Sequence, residues 1–264
     1  MTSNTNPPVA SAAPEFTILH REAHRLLKLE RAQPDMAWVS GLITVNLAAS
    51  EMPSAALAFP CVMTRSAKGG RLLAITGLEQ GRNLFVDEHK HWTASYLPAV
   101  LRTWPFRLLD KEDDEGARPV AVQRDALNAT TGDALFDDKG QEMPWLQAIL
   151  KELVALDAAE ATTASMVDAL DAAGVLTERA LQAVLPNGRQ MELTGFLSVD
   201  EQKLHALEDK VVADLHRLGA LAMAYLHLLS LRKFKDLMDL AAAREPQEPK
   251  AQRTQKSKKE PVTA

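Results

Sequence analysis

Residues 83–106 read NLFVDEHKHWTASYLPAVLRTWPF, and this stretch decides more about the fold than any other part of the chain. It holds two of the four tryptophans and one of the two tyrosines, together with Asn83, Asp87 and Arg102. Aromatic side chains bury large apolar areas, whereas the polar groups among them need hydrogen-bond partners. The mixture predicts either a cleft that holds a sugar or aromatic group, or a corner of the core in which Arg102 pairs with a carboxylate.

The composition is that of a globular protein with a full core: 264 residues, 46% of them hydrophobic, and a net charge of −5. The acidic balance argues against nucleic acid as a partner. The apolar run at residues 218–231 is shorter than the roughly 20 residues that cross a bilayer, so no membrane span is expected. Residues 1–16 lack the features of a secretory signal. The expected location is therefore the cytoplasm, with signal-independent export to the cell surface as the alternative.

Short β-favouring runs between residues 36 and 124, followed by helix-forming sequence from Pro144, predict an α+β fold. We expect a mainly antiparallel sheet in the N-terminal half, joined by a hairpin near residues 180–196. Helices pack on this sheet, including a long C-terminal helix that begins near residue 201. The expected organisation is a disordered leader at 1–14, a single domain at 15–243 and a disordered basic tail at 244–264.

Local signals predict where several elements begin and end. Pro144 suits the first position of a helix, and two helices are expected, at residues 144–159 and 162–173. Ser50 is predicted to cap a short helix, and the run from Ser198 to Glu201 is predicted to be a capping box. Residues 92–101 are expected to form a further helical piece. Cys61 lies in an apolar run, which predicts a buried structural thiol.

Two groups of histidines are candidates for metal binding. His205, His216 and His227 recur every eleven residues beside leucines, but helical neighbours at that spacing lie about 16 Å apart and cannot share a metal. They are interpreted as histidines at the edge of the core. His89 and His91 alternate with Asp87, which indicates either a weak metal site or a solvated turn. The sequence contains no cofactor motif, and no cofactor is expected.

The segment also carries a family resemblance. Its residues follow the pattern Gly77-Leu78-x-x-Gly81-x-Asn83-Leu84-Phe85-Val86-Asp87, then Trp92-x-x-x-Tyr96-x-Pro98-Ala99-x-x-Arg102-x-x-Pro105-Phe106. Upstream, Glu51 with Ala55, Ala56 and Phe59-Pro60 belongs to the same pattern, as does the later Leu193-Thr194-Gly195-Phe196-x-x-Val199-Asp200. This pattern resembles the SapC family of bacterial proteins over roughly residues 16–240. One departure is His89-Lys90-His91, which stands where a glycine-containing turn is usual.

The resemblance implies an association with bacterial surface layers but carries over no catalytic residues. We therefore expect a non-enzymatic binding or accessory protein whose partner is a peptide, a glycan or a protein. The alternatives are a peptide- or saccharide-modifying enzyme that uses Asp87, Glu51 or a histidine-based metal site, and a surface-layer component. The candidate ligand-binding residues belong to the segment or its family pattern: Glu51, Asn83, Asp87, Trp92, Tyr96, Arg102 and Phe106.

Overall fold

The computed structural model describes residues 15–31, 36–109, 118–184 and 190–244, and these form the predicted α+β fold. The leader at residues 1–14 and the basic tail from residue 245 lie outside these ranges. The acidic stretch at 110–115 and the hairpin turn predicted at 186–188 also lie outside them.

Eleven strands lie within the described ranges. They are β1 (Phe16–Ile18), β2 (Lys28–Leu29), β3 (Thr44–Leu47), β4 (Cys61–Ser66), β5 (Gly69–Ile75), β6 (Phe106–Leu108), β7 (Val120–Gln123), β8 (Leu127–Asn128), β9 (Asp133–Ala134), β10 (Leu176–Val184) and β11 (Gln190–Val199). The same ranges hold the α-helices α1 (Met52–Ala58), α2 (Ala99–Arg102), α3 (Pro144–Ala172), α4 (Glu201–His205), α5 (Asp209–Leu218), α6 (Ala220–Ser230) and α7 (Lys233–Ala243). Short 3-10 helices cover Ala37–Val39, Ala49–Glu51 and Arg124–Ala126.

The main sheet has five strands in the order β10-β11-β4-β5-β3, and its strand pairs are antiparallel. The predicted hairpin is confirmed as β10 and β11, which join the sheet through β4. The protein also has two small three-stranded sheets, with the strand orders β1-β7-β6 and β8-β2-β9. The strands predicted between residues 36 and 124 are thus divided between the main sheet and the small ones.

Helices cover both faces of the main sheet. On one face, Met63 and Leu72 pack against Val167 of α3 and against α1 and α6. On the other face, Val62 packs in a cluster with Leu237 of α7. Cys61 is fully buried in the first of these cores, as predicted, and burial raises the pKa of its thiol to about 12. A thiol in this state is a packing group rather than a nucleophile.

Helix α3 is one continuous helix of 29 residues, so the prediction of two separate helices was wrong. The hydroxyl groups of Thr162, Thr163 and Ser165 each donate to the carbonyl four residues earlier, at 3.0, 2.6 and 3.1 Å. This bonding lets hydroxyl residues remain inside a helix that their sequence preference would end.

The C-terminal helical segment runs from Glu201 to Ala243 as four consecutive helices, α4 to α7. Gly219 has a φ of 83° and ends α5 in the left-handed conformation that glycine adopts readily, so α6 takes a new direction. This turn interrupts the eleven-residue histidine repeat. His205 and His216 are exposed, whereas His227 is completely buried.

Three of the local predictions were wrong. Ser50 makes no capping hydrogen bond, although a short helix does follow it as α1. Asp200, rather than Ser198, caps α4 by accepting the backbone N–H groups of Gln202 and Lys203. Residues 92–101 are mostly non-helical, because only Ala99–Arg102 forms a helical turn.

Strand β5 comes very close to α3 at Gly70, where an added Cβ would overlap the side chain of Val167. We expect Gly70→Ala to lower the free energy of unfolding by about 1–3 kcal/mol, because a packed core accepts an extra methyl group only by shifting. Urea denaturation monitored by tryptophan fluorescence measures this loss. Gly41→Ala is the matched control, since its added Cβ meets nothing closer than 3.9 Å. Equal losses in the two variants would contradict the close approach of strand and helix.

Candidate functional site

Asn83 ties the start of the 83–106 segment to its surroundings. Its Nδ2 donates to the backbone carbonyl of Val39 and to Oγ1 of Thr76, both at 3.2 Å. Its Oδ1 accepts the backbone N–H of Phe85 at 2.8 Å. The side chain is buried, and protein groups engage both ends of its amide. Asn83 therefore holds the backbone of the segment in place, and its amide has little hydrogen-bonding capacity left for a ligand.

Asp87 organises a tight turn. Its Oδ1 accepts the backbone N–H groups of His89 and His91, at 2.9 and 2.8 Å. The hydrogen bond from His91 is the main reason that the pKa of Asp87 lies below its ordinary value. The two histidine rings are exposed, with centroids 6.2 Å apart. Within the described ranges, no three His, Cys, Asp or Glu residues are grouped so as to hold a metal ion.

The turn after Asp87 has a counterpart that explains the departure from the family pattern. Asp137 accepts the backbone N–H groups of Lys139 and Gln141 in the same way, and Gly140 has a φ of 75°. Lys90 holds the equivalent position with a φ of 65°. This left-handed conformation favours glycine, so the turn keeps its shape although the glycine is replaced.

Glu51 is the buried centre of a hydrogen-bond network. Its Oε2 accepts the backbone N–H of Ala48 at 2.8 Å, at the start of the 3-10 helix that leads into α1. Its Oε1 accepts the backbone N–H of Ala99 and the hydroxyl of Tyr96, both at 2.8 Å. One carboxylate thus joins the α1 region to the 83–106 segment, and protein donors occupy both of its oxygens.

Tyr96 extends this network towards the surface. Its hydroxyl also accepts from Nη1 of Arg102 at 3.4 Å, and Arg102 binds Oε1 of Glu152 on α3 through Nε and Nη2, at 3.0 and 2.8 Å. The indole N–H of Trp92 donates to the Tyr96 carbonyl at 2.8 Å. Burial raises the pKa of Tyr96, with Arg102 acting in the opposite direction. Arg102 thus pairs with a carboxylate, as the core-corner interpretation expects.

Phe106 belongs to a different part of the molecule. It lies on β6 in a cluster with Leu146 and Leu153 of α3, and its ring centroid is 6.2 Å from that of Trp145. The structure therefore brings together four candidate residues, Glu51, Trp92, Tyr96 and Arg102. It places Asn83, Asp87 and Phe106 at three other positions.

A pocket of about 470 Å³ lies along α3, on the side of the helix that faces β5. We call it the α3 pocket. Its lining carries charges of both signs, from Lys68, Arg71, Arg118, Asp157 and Glu160. Its volume falls within the range of small-ligand sites, roughly 300–1,000 Å³. No sequence pattern marks this pocket, because the strand and the helix that form it are far apart in the chain.

The α3 pocket is electrostatically coupled to the Glu51 network. Desolvation is the main cause that raises the pKa of Glu160, and the charges of Asp157 and Glu51 act in the same direction. Arg71 and Arg118 oppose this shift. The backbone N–H of Ala49 donates to Thr163 of the pocket lining at 2.8 Å. The pocket and the 83–106 segment therefore meet through the 3-10 helix that carries Glu51.

These features define the class of the protein, which is α+β. Its motif-bearing segment, residues 83–106, supports one end of the antiparallel main sheet. A charged pocket lies next to that segment, along the long helix α3. A family model described as SapC matches residues 19–237, and the chain belongs to the SapC family. The resemblance seen in the sequence is thus confirmed. Comparison with curated proteins and with solved structures gives no match. No helix in the described ranges has the length and apolar character needed to cross a membrane.

Proposed function

We propose that this SapC-family protein is a non-enzymatic binding or accessory protein for a short peptide or glycan, which it holds in the α3 pocket. The observation that carries the proposal is the pocket itself, whose size suits a small ligand and whose walls carry charges of both signs. The 83–106 segment has a supporting role, because its polar side chains are engaged by protein groups. Glu51 and Asp87 accept backbone N–H groups, which favours a structural role for both over general acid–base work.

Filling the pocket tests the proposal. Ala161 lines the pocket and is exposed on α3, so Ala161→Trp places a large ring in the ligand volume at little cost to folding. Equilibrium dialysis would use two probes, a pool of random tetrapeptides and a pool of short N-acetylglucosamine oligosaccharides, with bound material identified by mass spectrometry. We expect the unmodified protein to retain members of one pool and Ala161→Trp to reduce that retention to background.

Ala158→Trp is the matched control. Ala158 is also exposed on α3 but does not line the pocket, so its replacement should leave retention unchanged. Retention of neither pool by the unmodified protein, or equal retention by Ala161→Trp and the unmodified protein, would overturn the proposal. The surface-layer role that the family name implies stays a prediction, and assembly of the purified protein into sheets or filaments would support it.

A further inference from the structure

Two charged side chains of the α3 pocket, those of Arg71 on β5 and Glu160 on α3, make no hydrogen bond or ion pair with the residues that the structure describes, and both are exposed. Asp157, by contrast, is paired with Arg118. Arg71 is nevertheless close enough to Glu160 to lower its pKa. The two charged groups therefore line the same pocket without forming an ion pair across it.

The environment of Glu160 favours a cation in that pocket. Glu160 is exposed on α3, and partial desolvation and the neighbouring Asp157 both raise its pKa, so a nearby positive charge favours its ionised form. A ligand ammonium group beside Glu160 would pair with this carboxylate. The guanidinium of Arg71 offers the complementary group, because its planar fork of N–H donors matches a carboxylate. A ligand that carries both an ammonium and a carboxylate group satisfies both side chains.

Other groups of the pocket favour a peptide over a glycan. Asn46 lines the pocket, and its carboxamide has no hydrogen-bond partner among the described residues, so it can bind a peptide group through both its donor and its acceptor. The edge of β5 beyond Leu72 is covered by α3, where Asp168 accepts the backbone N–H of Gly70 at 2.8 Å. A peptide in the pocket would therefore be held by side chains of the lining rather than by adding a strand to the sheet. The described lining contains no aromatic ring on which a sugar could stack.

We propose that the α3 pocket selects short peptides with free termini, in which Glu160 binds the α-ammonium group and Arg71 binds the α-carboxylate. This inference rests on the binding function proposed above and names its ligand class. It makes Arg71 and Glu160 the residues that determine specificity, whereas the 83–106 segment supports the 3-10 helix that carries Glu51.

Blocking each terminus separately tests the assignment. Dialysis would compare three pools of random tetrapeptides: one with free termini, one N-acetylated and one C-amidated. We expect either modification to weaken retention roughly tenfold or more, which is the effect of losing one charge-assisted hydrogen-bonded pair. Glu160→Gln should abolish the discrimination between free and acetylated peptides and retain that between free and amidated ones. Arg71→Gln should do the reverse.

Two variants away from the pocket serve as controls for the change in net charge. Glu201→Gln on α4 and Arg217→Gln on α5 alter exposed side chains outside the lining and should retain both kinds of discrimination. Equal retention of free and blocked peptides, or retention of oligosaccharides alone, would overturn this inference and leave the proposed binding function intact. Retention of no pool would overturn both.

Discussion

Replacing Glu51 with alanine is expected to lower the free energy of unfolding by about 3–5 kcal/mol. The substitution removes the acceptor of two backbone N–H groups, those of Ala48 and Ala99, and both residues are buried. A buried donor left without a partner costs about 1–3 kcal/mol, and the hydroxyl of Tyr96 loses its acceptor as well. Such a loss is a large fraction of the stability of a typical domain. Urea denaturation monitored by tryptophan fluorescence measures it.

Tyr96→Phe is the matched comparison, because it removes one of the three hydrogen bonds to Glu51 and leaves both backbone groups paired. Its expected cost is about 1 kcal/mol. If Glu51→Ala did not fold well enough to measure, Glu51→Gln would give an intermediate value, since it keeps one acceptor oxygen. Losses of the same size for Glu51→Ala and Tyr96→Phe would mean that the carboxylate does not join the two segments.

The 83–106 segment shows how far sequence reasoning reaches. Its aromatic and polar residues identify the family and the corner of the fold, and the pairing of Arg102 with a carboxylate was one of the two predicted outcomes. The particular carboxylate was beyond prediction, because Glu152 lies on a helix fifty positions further along the chain. At Lys90 no glycine in this sequence marks the left-handed turn. The turn can be recognised only because the family pattern usually has a glycine-containing turn there.

The α3 pocket could not have been predicted from the sequence, and the reason is physical. Arg71 and Glu160 lie on two elements whose relative position depends on the close contact of Gly70 with Val167. Neither residue stands in a local pattern that distinguishes it from an ordinary exposed charge. Charged side chains acquire a binding role from the geometry that the core imposes, and only the assembled strand and helix provide that geometry.

The histidine repeat illustrates the same limit within a single helical segment. His216 and His227 both lie beside leucines and are eleven residues apart, so the local sequence does not distinguish them. The left-handed turn at Gly219 reorients α6, so that His227 enters the core whereas His216 stays exposed. His227 therefore acquires a property that periodicity does not reveal.

His227 is expected to make the protein less stable in mild acid. Its Nε2 lies 3.1 Å from the backbone N–H of Val199 and 3.0 Å from Oγ of Ser198, which assigns Nε2 as an acceptor and places the proton on Nδ1. That Nδ1 has no hydrogen bond of normal geometry within the described ranges, although the Cys61 backbone approaches the ring and acts against the effect of burial. Burial lowers the pKa of His227 from 6.5 to about 4.

The sign of the effect follows from which state binds the proton. The unfolded chain takes up a proton on this ring below its ordinary pKa, whereas the folded protein resists doing so until about pH 4. The contribution of the neutral His227 ring to the free energy of unfolding is therefore fully present well above pH 6.5. It falls as the pH drops, by about 2 kcal/mol at pH 5 and about 3 kcal/mol near pH 4. The pKa of His24 is also lowered by burial, so this residue adds a loss of the same sign.

His227→Gln isolates the contribution of this ring, because a glutamine side chain offers an acceptor to Val199 and does not titrate. At pH 7.5 we expect the variant to be less stable than the unmodified protein by about 1 kcal/mol, through imperfect packing. By pH 5 the order should reverse, since only the unmodified protein has lost the contribution of His227. Urea denaturation at both pH values measures the difference, with the exposed His216→Gln as a control that keeps the acid sensitivity. A constant gap between His227→Gln and the unmodified protein would show that the buried ring is not the source of the acid sensitivity.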